Sequence, residues 1–228
     1  MIELRPYQAK AIEDLWSWFL KHPDGHPILE LPTGSGKSII LAEICRQALT
    51  NWPGSRILMT VKSKELCEQN LDELMTIWPE APAGVHSASV GRRDIGHDIL
   101  YSTIGSIYKK AHLLGRVDLI LIDECHMVDT KDAGMYRSLI SNLQKYCPHV
   151  RVIGVTATPF KADGGWLTAG ENPLFTGIAS KIKMRELLDA GYLSPLVSAG
   201  QVKNITTSEG VSVVNGDFNI GQLAEKLD

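Results

Sequence analysis

Leu31-Pro32-Thr33-Gly34-Ser35-Gly36-Lys37-Ser38 decides the reading of this 228-residue chain. A loop that binds phosphate needs glycines, so that backbone N–H groups converge on the anion. It also needs a lysine for the β- and γ-phosphates and a hydroxyl for Mg²⁺. Thr33, Gly34, Ser35, Gly36, Lys37 and Ser38 supply all three. The flanks give the required context. Ile28-Leu29-Glu30-Leu31 reads as a short strand, and Lys37 opens a helix running to about Leu49 whose positive end faces the loop. Leu31 departs from the general pattern G-x-x-x-x-G-K-[ST], which has its first glycine there. A chance glycine-rich turn is the alternative, and the strand–loop–helix setting disfavours it.

The same alternation continues outward from the loop. Upstream, Ile12, Leu15, Trp16, Phe19 and Leu20 recur at helical spacing after Pro6, and His22 to Pro27 break that helix. Downstream, strands are expected at 56–61, 83–86, 98–102, 118–123 and 150–156. Helices are expected at 64–77, 105–112, 134–146 and 181–190, with an irregular glycine-rich tract over 163–177. Nearly continuous Val/Ile/Leu strands separated by amphipathic helices predict an α/β fold with a mainly parallel sheet covered on both faces.

Two further motifs sit at strand ends. Asp123-Glu124-Cys125-His126 follows the apolar run Leu119–Ile122. Alone, an acid pair there is more often a helix cap. With a phosphate loop upstream in the same sheet, Asp123 suits Mg²⁺ and Glu124 suits orienting and polarising an attacking water. Thr156-Ala157-Thr158-Pro159 ends another strand, where its hydroxyls can bridge the acid pair to a neighbouring site; a plain turn before Pro159 reads equally well in isolation.

These three motifs, in this order, resemble those of superfamily-2 helicases and translocases. The resemblance covers essentially all of residues 1–195 and implies the first of two RecA-like domains, an α/β P-loop NTPase fold that hydrolyses ATP with Mg²⁺. It gives Lys37, Asp123 and Glu124 the catalytic roles and Ser38 and Asp123 the metal. Leu4-Arg5-Pro6-Tyr7-Gln8 is similar to the group's adenine motif, with Gln8 on the adenine edge and Arg5 on its face. His126, Thr156 and Thr158 are the coupling residues. The variants D-E-C-H and T-A-T-P resemble bacterial RadD-like and XPB-like DNA enzymes of repair or recombination. A restriction-system motor subunit, an RNA-directed helicase and a nucleotide-dependent interaction module are the alternatives.

Nucleic-acid contacts are expected at other strand ends. Lys62-Ser63 opens a helix whose free N–H groups suit a backbone phosphate, and Thr103 is similar to the family's second phosphate-contacting motif. Arg92-Arg93 adds local charge. Ser63 reads equally as an ordinary helix cap, and the arginine pair as a solvated face. The family's second RecA-like domain carries arginine fingers and half of the nucleic-acid track. Residues 196–228 are too few to hold it and are expected to be a connector toward it, so this chain alone is expected to be a monomer with little activity.

Composition is close to the average for soluble globular proteins: 44% hydrophobic, 21% charged, net charge −3. That charge excludes a global basic field and leaves nucleic-acid contacts to local groups. No stretch approaches ~20 consecutive apolar residues, so no membrane span is expected. The N-terminus has no apolar run of a signal peptide. Cys45, Cys67, Cys125 and Cys147 form no C-x-x-C pair and read as reduced thiols of a cytoplasmic protein.

Overall fold

The computed structural model describes residues 3–87, 91–128, 130–160, 165–195, 213–214 and 217–218. Helix α1 (Pro6–Lys21) has proline at its first turn, where no N–H is needed, and buries Ala11, Ile12 and Leu15. Strand β1 (Pro27–Glu30) leads into the phosphate loop and helix α2 (Lys37–Asn51). Then come β2 (Ile57–Val61), α3 (Lys64–Ile77), β3 (Ala83–Ser87), β4 (Arg92–Arg93) and β5 (Ile99–Thr103). Two single turns, α4 (Ile104–Ile107) and α5 (Ala111–Leu114), precede β6 (Leu119–Ile122). Helix α6 (Thr130–Leu143), β7 (Arg151–Thr156), β8 (Gly177–Lys181) and α7 (Met184–Asp189) follow.

Eight strands form one sheet in the order β4-β3-β5-β2-β6-β7-β1-β8. Every neighbouring pair is parallel except β3 with β4. The expected mainly parallel α/β architecture is therefore present. Side chains alternate between two cores. On β6, Leu119 and Leu121 face the cluster with Leu15, Ile40 and Ile44; Ile120 and Ile122 face the one with Leu139, Leu143 and Phe175. Period-two alternation thus gives each face its own set of side chains, each contributing about 1.5–3 kcal/mol by burial.

Two expectations are corrected. The helix expected over 105–112 is two turns, α4 and α5, separated by Tyr108–Lys110. β8 fills the gap left between the irregular tract and the expected helix, taking Gly177 from one and Lys181 from the other: Gly177-Ile178-Ala179-Ser180-Lys181 has no apolar run, and it forms a strand by pairing with the edge of β1. Arg92 and Arg93 make up the two-residue strand β4. Of the expected connector 196–228, only a short antiparallel pairing of Val213–Val214 with Asp217–Phe218 is described; the rest lies outside the described residues. No helix among the described residues is long and apolar enough to cross a membrane. All four cysteines are free thiols.

Candidate functional site

The site lies at the carboxyl ends of β1, β2, β5, β6 and β7. A parallel sheet concentrates its loops and helix N-termini there, in the crevice where open α/β sheets take ligands. Gly34 (φ 80°) and Gly36 (φ 76°) are left-handed. They curl the loop so that α2 starts at Lys37 with its N-terminal donors facing the cleft. A Cβ on Gly36 would lie 2.6 Å from Gln8 Nε2, so the loop and α1 pack too closely for any side chain. The cleft measures about 420 Å³ and is lined by Thr33, Lys37, Ser38, Asn70, Asp123 and Glu124, among others. That is within the usual range for ligand sites.

Lys37 is paired with Glu124, a contact between phosphate loop and acid motif. Ser38 Oγ donates to Glu73 Oε2 at 2.5 Å. Asn70 Nδ2 donates to Asp123 Oδ2 at 2.6 Å. Burial, then the neighbouring Glu124 charge, push the Asp123 carboxyl up. Burial also pushes Glu124 up, but hydrogen bonds from His126 and Lys37 outweigh it and hold Glu124 below its ordinary value. The two acids are therefore pushed in opposite directions, Asp123 up and Glu124 down. Glu124 is also the one non-glycine residue with positive φ (47°) among the described residues, at the turn into the 3₁₀ segment Cys125–Met127. Strained backbone of this kind clusters at functional sites.

His126, Thr156 and Thr158, the expected coupling residues, form a chain of contacts that reaches the cleft through Glu124. His126 Nδ1 lies 2.8 Å from Thr156 Oγ1 and 3.3 Å from Glu124 Oε2. The Thr156 hydroxyl donates to the Thr158 carbonyl at 3.2 Å and accepts the Thr158 N–H at 3.0 Å. Its remaining lone pair takes His126 only as an Nδ1–H donor, which fixes the imidazole tautomer. Thr158 enters this chain through its backbone.

Gln8, expected to meet the adenine edge, is 2% exposed. Its Oε1 accepts the Arg5 N–H at 2.9 Å, and its Nε2 donates to the Ser35 carbonyl at 3.0 Å. One lone pair and one N–H of the amide remain. Gln8 thus links Arg5 to the phosphate loop. Tyr7 Oη donates to the same carbonyl at 2.9 Å.

The expected nucleic-acid residues divide. Val61 pairs with Thr103 in register, which puts Lys62-Ser63 and Thr103 side by side at the sheet edge. Ser63 Oγ already accepts the Leu66 N–H at 3.3 Å, the ordinary cap of α3, and Thr103 Oγ1 lies 2.8 Å from Ser106 Oγ. Arg92 and Arg93 stand apart from them on β4, beyond β5 and β3. Arg92 is paired with Asp94 at 2.7 Å.

Sequence reasoning missed Asn70 and Glu73. They stand three residues apart on the polar face of α3, where an amphipathic helix shows polar residues whatever they touch. Only the parallel neighbours β2 and β6 bring that face against the acid pair.

The oxygen-rich corner made by Ser38, Glu73 and Asp123 is the hard donor chemistry that Mg²⁺ takes. The Ser35 hydroxyl, fully buried without a protein partner, fits a loop shaped around an absent polar group. Nucleotide and Mg²⁺ thus fit the residues present.

The fold and this cleft define a P-loop ATPase-type domain. The chain belongs to the Type III restriction enzyme, res subunit, family, which it matches over residues 1–161. It is 28% identical over 206 residues to putative helicase 22 of Sulfolobus islandicus filamentous virus, covering 85% of this chain and 34% of that protein. It is 28% identical over 179 residues to the mouse ATP-dependent RNA helicase DHX58, covering 69% of this chain and 25% of that protein. The chain therefore spans about a third or less of these relatives. Among solved structures, the Type ISP restriction-modification enzyme LlaGI in complex with a DNA substrate mimic superposes with TM-score 0.63 at 16% identity, covering 84% of this chain and 21% of that one. The fold is that of superfamily-2 helicase RecA-like domains.

Proposed function

We propose that this chain is the ATP-binding lobe of an ATP-dependent DNA helicase or translocase. The observation that carries the reading is the convergence of Lys37, Ser38, Asp123 and Glu124 on one cleft at the carboxyl edge of the sheet, with the His126–Thr156 pair reaching it through Glu124. In it, Lys37 and the loop N–H groups hold the phosphates. Ser38 and Asp123 hold Mg²⁺, which when bound neutralises charge on the phosphates. Glu124, kept ionised by His126 and Lys37, orients the attacking water and accepts its proton. His126 and Thr156 carry the state of Glu124 to the neighbouring strand end and the Thr158 backbone.

Closure of a second RecA-like lobe supplies the arginine fingers, so the 228-residue chain hydrolyses ATP slowly by itself. DNA rather than RNA is the track we favour, because the family is one of restriction enzymes and the LlaGI structure holds a DNA mimic. The D-E-C-H and T-A-T-P variants favour a repair or recombination role, and the four free thiols favour a cytoplasmic location. The family description favours a second reading, the motor subunit of a restriction system. One experiment tests the proposal: ATPase of the full-length protein with no nucleic acid, single-stranded DNA, duplex DNA and RNA. Stimulation by DNA supports it; stimulation by RNA alone, or by neither, overturns it. Cleavage of unmodified DNA by the full-length protein identifies the restriction reading.

A further inference from the structure

The segment after α7 reaches back over the phosphate loop. Gly191 (φ 71°) turns the chain, and the N–H groups of Tyr192 and Leu193 both donate to the Leu187 carbonyl, at 2.8 and 3.1 Å. This cap fixes where the two side chains go. Leu193 Cδ2 lies 2.8 Å from where a Cβ on Gly34 would stand, so it sits directly on the loop. The Tyr192 ring lies under the Arg5 guanidinium, 4.8 Å from its carbon to the ring centroid. Tyr7 meets Tyr192 edge-on at 5.1 Å and donates to the Ser35 carbonyl. The Arg5 guanidinium also makes a long contact, 3.4 Å from Nη1 to Tyr7 Oη. Arg5 is exposed.

We propose that Tyr192 is a positioning residue for the nucleobase. It holds the Arg5 guanidinium flat, and a purine stacks on the other face. A guanidinium plane has two faces and stacks well on aromatic rings, so with Tyr192 on one face the other can take a second ring. Held between Tyr192 and the base, the guanidinium loses little rotamer freedom on binding. This rests on the ATP-site reading above and adds the residue that sets the contribution of the base.

Titration calorimetry of the 228-residue chain with ATP and with inorganic tripolyphosphate, each with MgCl₂, tests it. Wild type is expected to bind ATP more tightly than tripolyphosphate. Tyr192→Ala is expected to weaken ATP by roughly tenfold, the scale of a partly desolvated cation–π contact, while tripolyphosphate changes less than about twofold. Tyr192→Phe keeps the ring and is expected to restore ATP affinity to within about threefold of wild type. Equal weakening of both ligands by Tyr192→Ala would show a structural role and overturn the proposal, as would no change in either. Equal wild-type affinities would also overturn it, while leaving the phosphate loop intact. Binding of neither ligand by wild type would overturn the ATP-site reading itself.

Discussion

Glu124 carries two burdens at once, a charge and a backbone conformation. Its carboxylate is held ionised by His126 and Lys37 beside the phosphate loop. Glu124→Gln keeps size and polarity but cannot accept a proton. ATP affinity is therefore expected to stay within about threefold while turnover of the full-length protein falls at least ~100-fold, the low end for general base catalysis. Parallel loss of both would make Glu124 a ligand rather than a base. The backbone burden is separable. At φ 47° a Cβ crowds the following carbonyl, and glycine does not. Neither Glu124→Gly nor Glu124→Ala keeps the carboxylate, so the difference between them isolates the backbone. Glu124→Gly is expected to be more stable than Glu124→Ala by about 1 kcal/mol in denaturant unfolding. Equal stabilities would mean the turn relaxes when the Lys37 pair is lost.

At the scale of elements, the entry to β1 is pinned by His26, whose Nδ1 lies 3.0 Å from the Leu174 carbonyl. Burial, helped by Arg137 and Arg151, pulls the His26 pKa below its ordinary 6.5, against the pull of that carbonyl. The folded chain then binds fewer protons here than the unfolded one. Stability from this group is complete above about 6.5 and is lost as pH falls below it, toward the folded value. Unfolding free energy is expected to drop between pH 7 and pH 5.5, and His26→Gln is expected to flatten that part of the profile.

The elements also mark where the sequence was informative. The phosphate loop, Asp123-Glu124 and Thr156-Ala157-Thr158 were legible because each is a local string whose neighbours set its geometry. Strand β6 was legible because Leu-Ile-Leu-Ile can only be buried on both faces. β8 was not, because Gly-Ile-Ala-Ser-Lys becomes a strand through the edge of β1 and not through its own pattern. Asn70, Glu73 and Tyr192 were not, because their partners lie far along the chain and their own surroundings read as a polar helix face and a loop. Ser63 was legible only as an ambiguity: the cap it makes on α3 and the phosphate contact proposed for it use the same kind of group.

For the whole molecule, a net charge of −3 means that the proposed nucleic-acid binding has to come from local groups; the candidates expected from the sequence are Lys62, Ser63 and Thr103 at one edge, with Arg92-Arg93 two strands further out. With about three phosphates neutralised, the slope of log K against log[salt] on single-stranded DNA is expected to be roughly −2 for this chain. Fluorescence anisotropy across a salt series measures it, and a slope near zero would remove the phosphate contacts. The cleft itself has a consequence for ligand titrations. Lys37 already holds Glu124, Ser38 holds Glu73, and Asp123 holds Asn70. An incoming nucleotide exchanges bonds there more than it adds them, so its heat of binding is the small difference between two sets of similar contacts. Glu124 and Glu73 act as competitors tethered to the site, present at a fixed effective concentration that dilution of the protein does not lower.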